Sequence, residues 1–136
     1  MSLDQAIIID LILALNKTIK NIVKNNRELA APYIRGMMIG EGTVYCNRMR
    51  YVRIEMKIKA EIDFLGGLFD YLNIKFKKSC RFNREGMWSI YIGGKENIEG
   101  YAKLIGFGVH KKRQDILNKI LKIHKTEKKL GILPKK

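Results

Sequence analysis

The chain has 136 residues, 46% of them hydrophobic, with only two prolines, which fits one folded domain with a real core and excludes a disordered tail or two full domains. Its 27 basic and 13 acidic residues leave a formal charge of +14. Such an excess favours a polyanionic partner, nucleic acid first and an anionic membrane second, with a merely Lys-rich, soluble composition as the bland alternative.

Residues 3–26 read as a helix, in one piece or in two meeting near Asn16. Ser2 is placed to cap its start, and Ile19, Ile22 and Val23 continue one apolar face. The run AIIIDLILAL is too short to span a bilayer, is interrupted by Asp10, and has no basic residue ahead of it, which is wrong for a signal peptide. The expectation is a cytosolic protein (organellar in a eukaryotic host) with no membrane partner. Asn25, Asn26 and Arg27 read as a turn, and Pro32 suits the first turn of a second helix that runs to about Gly40.

The period then changes from 3.6 to 2. GTVYCN and YVRIEMKIK alternate as two strands joined at residues 47–49. AEIDFLGGLFDYL, residues 60–72, returns to helical spacing. IKFKKSCRF and MWSIYI form a second hairpin around Asn83, Arg84, Glu85 and Gly86. Residues 95–105 and 112–128 read as helices. The order is a leading helix followed by α-β-β-α-β-β-α, with one four-stranded antiparallel sheet covered by helices on one face. By alternation Val44, Cys46, Val52, Ile54, Met56, Ile58, Phe76, Cys80, Phe82, Trp88, Ile90 and Ile92 face the core. Thr43, Tyr45, Asn47, Arg53, Glu55, Lys57, Lys75, Lys77, Ser79, Arg81, Asn83, Ser89 and Tyr91 face outward, with Arg48, Arg50 and Arg84 extending from the turns.

Cys46 and Cys80 form no CxxC, and His110 and His124 stand alone, so a zinc site is not expected and a reducing compartment is the default. IGGKEN lacks the spacing and the Ser or Thr of a phosphate-binding loop.

The second helix is unusual. Gly36 and Gly40 lie four apart on one face, each at a cost of about 1 kcal/mol against alanine. Close approach of another helix is the usual return. Gly42 fits the C-terminal stop as a left-handed residue. Glu41 is an acid at the negative end of the helix dipole, where a cation would be needed to favour it. From spacing alone, two readings stay open: helix packing through small residues with a solvated Glu41, or an acid delivered to a metal.

IRGMMIGEG, residues 34–42, resembles the signature nonapeptide of the LAGLIDADG homing endonucleases, with Gly36, Gly40 and the pair Glu41, Gly42 on its small, small and acid–glycine positions. The element order from about residue 30 to 125 is similar to that family's repeat, and IGFGVHKKRQDIL resembles its approach to the last helix. The sixth motif position, often acidic, is Ile39, and a strand-two position often held by a polar residue is Ile58. The resemblance implies an α+β fold of this type: residues 1–28 a helical extension, 29–130 one endonuclease domain, 131–136 a basic tail. It implies a homodimer packed through Gly36, Gly40, Ile39 and Met37, with Glu41 from each copy and the Gly40 carbonyl holding Mg²⁺ or Mn²⁺. Lys111 aligns with a basic residue kept near that metal, and Lys112 and Arg113 are alternatives one and two positions on. The sheet would bind double-stranded DNA through Tyr45, Asn47, Arg48, Arg50, Arg53, Glu55, Lys57, Lys75, Lys77, Ser79, Arg81, Asn83, Arg84, Ser89 and Tyr91. The implied activity is an intron-encoded, metal-dependent staggered double-strand cut at a long near-palindromic site. The alternatives are a splicing maturase acting on intron RNA and a DNA-binding regulator on the same fold.

Overall fold

The computed structural model describes residues 2–81 and 86–131. Helix α1 (Leu3–Asn25) begins at a capping box: Gln5 N donates to Ser2 Oγ at 3.2 Å, and Ser2 N donates to Gln5 Oε1 at 2.9 Å. These bonds satisfy amides that a helix start leaves open. The helix passes Asn16 without a break. A 3-10 turn (Arg27–Leu29) leads into α2 (Ala30–Glu41), which buries Ala30, Ile34 and Met38 at four-residue intervals.

The remaining elements are β1 (Gly42–Cys46), β2 (Arg50–Met56), α3 (Lys59–Tyr71), β3 (Lys77–Arg81), β4 (Met87–Gly93), α4 (Lys95–Leu104) and α5 (Lys111–Lys129). The class is α+β. The strands form one antiparallel sheet in the order β1-β2-β4-β3. Val44 lies opposite Val52, which lies opposite Ile92, and Ile54 lies opposite Ile90. On this face the strands meet Ile34 and Met38 of α2, Ile62, Leu65 and Phe69 of α3, Ile98 and Tyr101 of α4, and Leu117 and Ile120 of α5 in one core. Apolar burial on this scale is what chiefly stabilises the fold. No helix among the described residues is long and apolar enough to cross a membrane.

Several expected core positions differ. The chain leaves the sheet after Met56 to start α3 at Lys59, so Ile58 precedes that helix and is 60% exposed. Lys57 leaves the sheet with it. Cys80 is exposed because β3 is an edge strand. Cys46, Met56, Phe76 and Trp88 are half-buried at the rim, with Lys59 Nζ 5.3 Å from the Trp88 ring centre. Phe82, the turn residues Asn83 and Arg84, and residues 132–136 lie outside the described residues.

Arg50 also departs from expectation. It pairs with Cys46 in the register and shares the helix-facing parity of Val52. It therefore points at α5, where its Nη1 and Nη2 donate to Glu127 at 3.1 and 2.6 Å. That bidentate bond holds the Glu127 carboxyl below its ordinary value. One turn earlier His124 is buried; burial first, and the Arg50 charge second, push its imidazole below the usual 6.5.

Both groups have folded pKa values below their unfolded ones, so the unfolded chain binds protons more readily. The stability they contribute is full above the unfolded values and is lost as pH falls, from about 6.5 for His124 and from about 4.5 for Glu127. Thermal melting followed by circular dichroism is expected to show Tm falling by a few degrees across the histidine range, roughly pH 7.5 to 5.5. His124→Leu is expected to flatten that fall. An unchanged slope in the variant would show that His124 is not its source.

Candidate functional site

Helix α2 buries Ile34 and Met38, so residues two positions further on point the opposite way. Those residues are Gly36 and Gly40. Both are exposed, and a Cβ built on either meets no atom within 4 Å. Packing within the chain therefore does not require glycine at these positions. Met37 and Ile39 flank this face half-buried, and Glu41 ends the helix with its side chain exposed.

Gly42 is not left-handed. Its backbone is extended, at φ −79° and ψ 158°, and it is the first residue of β1 as well as the cap of α2. Contact makes it glycine: a Cβ there would lie 2.6 Å from both Met38 Cε and Met38 O. The buried Met38 turn fills the space a side chain would need, and the helix enters the strand without a loop.

The segment 105–110 locks α5 against the same helix end. Arg35 Nε donates to Ile105 O at 2.6 Å, Tyr101 Oη to Gly106 O at 2.9 Å, and Phe107 N to Gln114 Oε1 at 2.8 Å. Gly108, at φ +52°, passes close to Arg35 and Ile39, where a Cβ would come within 3.0 Å of Arg35 Cδ. His110 caps α5 by accepting from Arg113 N at 3.3 Å. Arg113 Nη1 then donates to Met38 O at 2.9 Å and Ile39 O at 2.8 Å, a cation on the C-terminal carbonyls of a helix. Of the three candidate bases in this segment, Arg113 reaches the end of α2 by these bonds. Lys111 and Lys112 are exposed in the first turn of α5.

The open face of the sheet carries a different set of groups. Thr43, Arg53, Tyr91 and Lys77 form one row across the four strands; Tyr45, Tyr51 and Gly93 form another. Tyr45 stacks on Tyr51 at 5.2 Å between ring centres, and Tyr51 meets Tyr91 at 5.0 Å. Gly93 makes room for this ladder, since a Cβ there would lie 2.6 Å from Tyr91 Cε1. Arg53 lies over Tyr51 at 5.4 Å and is held by Glu55 at 3.0 Å. Burial, and then Tyr51, push the Tyr91 phenol up, so it stays a hydrogen-bond donor. Arg53, Lys77, Ser79 and Tyr91 help to line a shallow depression of about 550 Å³.

Not every expected contact residue is exposed on this face, although Glu55, Ser89 and Ser79 form a further row of it. Arg50 points to α5. Ser89 is buried, with its Oγ 2.9 Å from Ser79 Oγ. Glu55 is half-buried and orients Arg53. Lys57 and Lys75 are exposed but lie outside the strands, and Asn47 and Arg48 are in the β1–β2 turn, where Arg48 is exposed. Arg81 ends β3. Tyr51 and Gly93 were missed as site residues. Alternation alone places Tyr51 on this face; the role of Gly93 depends on a ring from its own strand and had no signal.

Among the described residues of one chain, no three His, Cys, Asp or Glu side chains gather into a metal-binding group. No protein-family model matches the sequence, and no curated protein matches it.

Gly42→Ala is expected to cost about 1–3 kcal/mol in urea unfolding, because the new methyl overpacks the Met38 turn. Gly36→Ala meets open space within the chain and is expected to keep the fold, with a helix-propensity gain of up to about 1 kcal/mol. The reverse ranking would show that Met38 does not set the residue at position 42.

Proposed function

We propose that this chain is a homodimeric, metal-dependent endonuclease of duplex DNA, of the LAGLIDADG homing type. The observation that carries the reading is α2: a helix whose Gly36–Gly40 face is open, ending in an exposed Glu41. A second α2 laid on that face would approach closely enough to set two Glu41 carboxylates side by side.

The chemistry of the donors fits a hard cation. Two carboxylates and the Gly40 carbonyls are oxygen ligands of the kind that Mg²⁺ and Mn²⁺ prefer, and the described residues of one chain alone supply too few of them. Bound there, a divalent ion would relieve carboxylate repulsion and neutralise charge developing on a scissile phosphate. The chain's own residues set the stage. Gly42 and Met38 fix the direction of the Glu41 backbone, and Arg113 holds the neighbouring carbonyls of Met38 and Ile39. Lys111 stands exposed at the start of α5, where it would contact a phosphate.

The sheet supplies the DNA surface. A twisted antiparallel ribbon fits the major groove, where base edges are distinguishable. Arg53 and Lys77 would contact bases or phosphates from the centre of the face. Arg48 and Asn47 would reach from the turn, and phosphate contacts would fix register without reading sequence. Two copies related by a two-fold axis would recognise a long, near-palindromic site.

Glu41→Gln is expected to lower cutting at least about a hundredfold while keeping site affinity within a few-fold. The assay compares both proteins on DNA spanning the uninterrupted insertion site of the host gene, with Mg²⁺ and with EDTA. Normal cutting by the variant would remove Glu41 from the metal site. Tight binding without any cut by the wild type would turn the reading to a regulator or an intron-RNA maturase. Arg53→Ala is expected to reduce the slope of log affinity against log salt by about one. Arg50→Ala, measured where it remains folded, is expected to leave that slope unchanged.

A further inference from the structure

Helix α1 is rich in Ile and Leu, yet it is bare. Of residues 3–19, Ala6 alone is not exposed. Ile8, Ile12 and Leu15 expose 55%, 53% and 59% of their surface. The helix touches the body at its far end, through the buried Val23 and through Lys20, which pairs with Glu61 and lies over Phe64.

The exposed groups follow a pattern. Ile8, Ile12, Leu15, Ile19 and Ile22 repeat at 4-3-4-3 spacing, the seam by which helices pack against one another. The seam is about 21 Å long. With Ile9 and Leu11 at its flanks, the seam presents roughly 650 Å² of apolar surface on one side of α1, at or above the largest patch of an ordinary monomer. That supplies most of the ~800 Å² per partner that a stable interface buries.

We infer that α1 is a self-association surface that takes the α1 helices of other copies of this chain. Isoleucine predominates at both seam positions, and Ile9 and Leu11 widen the apolar stripe. That pattern suits a bundle of more than two helices better than a two-stranded seam. A lipid surface is disfavoured by charge. The lysines of α1, Lys17, Lys20 and Lys24, are confined to its C-terminal half, where Lys20 already pairs with Glu61. Residues 3–16 carry Asp4 and Asp10 as their only charged groups, whereas interfacial helices are rich in cations all along their polar face. The surface is separate from the Gly36–Gly40 face of α2, and the inference does not depend on any activity toward DNA.

The test is the mass of the full chain in solution at micromolar concentration, by sedimentation velocity without DNA. The wild type is expected to sediment as an oligomer. The double variant Ile12→Glu, Leu15→Lys is expected to lose at least half of that mass while its Trp88 fluorescence melt stays as in the wild type, since these positions lie off the core. Lys17→Glu, off the seam, is expected to keep the wild-type mass. A monomeric wild type, or a double variant with the wild-type mass, would overturn the inference. So would equal losses in the double variant and Lys17→Glu. A monomeric wild type that co-sediments with phosphatidylcholine–phosphatidylglycerol vesicles would overturn it in favour of lipid. A double variant that keeps the wild-type mass overturns this inference alone, whereas a monomeric wild type would also count against the homodimer of the nuclease reading. Failure to cut leaves this inference standing.

Discussion

The junction of α2 with the sheet is the constraint on which the rest of the structure depends. Helix and strand meet at one residue, Gly42, with Met38 packed so closely beneath it that a methyl would collide. With no loop to absorb movement, the orientation of α2 over β1 and β2 follows from the burial of Ile34 and Met38 against Val44, Val52 and Ile54. Glu41 is thereby held at a rigid corner. Arg113 reinforces the corner from α5 by donating to the Met38 carbonyl, which also accepts from Gly42 N, and to the Ile39 carbonyl in the last turn.

The same sheet divides two kinds of charge. On its helix side Arg50 is fixed to Glu127, and Lys78 is bound to Asp63 at 2.6 Å. Glu127 matches the Arg50 charge, while Asp63 is shared by Lys78 and Lys59, and both contacts join the sheet to its helices. On the open side Arg53 is aimed by Glu55 and by the Tyr51 ring, and Lys77 is exposed. Counting basic residues therefore overstates the surface offered to a polyanion, because part of the charge is already matched between sheet and helices. The tyrosine ladder stiffens the open face by cross-strand stacking.

Helix α1 is governed by a different balance. Its capping box and its helix-forming residues stabilise it locally, but residues 3–19 contribute almost nothing to the core. Most helical stability in proteins comes from packing an apolar face rather than from propensity. Burying its apolar stripe would stabilise it more than its cap or its propensity does.

Much of this was legible from residues alone. The switch from 3.6 to 2 in hydrophobic period marked the passage from α2 into β1. The alternation of Val52 and Ile54 with Arg53 and Glu55 assigned the faces of β2, and Ser2 marked the start of α1. These features are local, set by side-chain direction and backbone hydrogen bonding within a few residues. What the sequence could not reveal lay in contacts between distant residues. Arg50 belongs to β2 rather than to the turn, so the parity of Val52 turns it inward, and Glu127, 77 positions away on α5, holds it there. Ser89 was buried by the neighbouring strand, and Ile58 left the core because the chain had to bend into α3. Gly42 needed to be glycine because of Met38 rather than a left-handed backbone, and Arg113 was singled out from Lys111 and Lys112 by the reach of its guanidinium to α2. Residue types and their periods determined the elements and which face of each would be apolar. Only the packed tertiary structure decided which cations remained available, because availability depends on what lies opposite, and that is fixed by the whole chain.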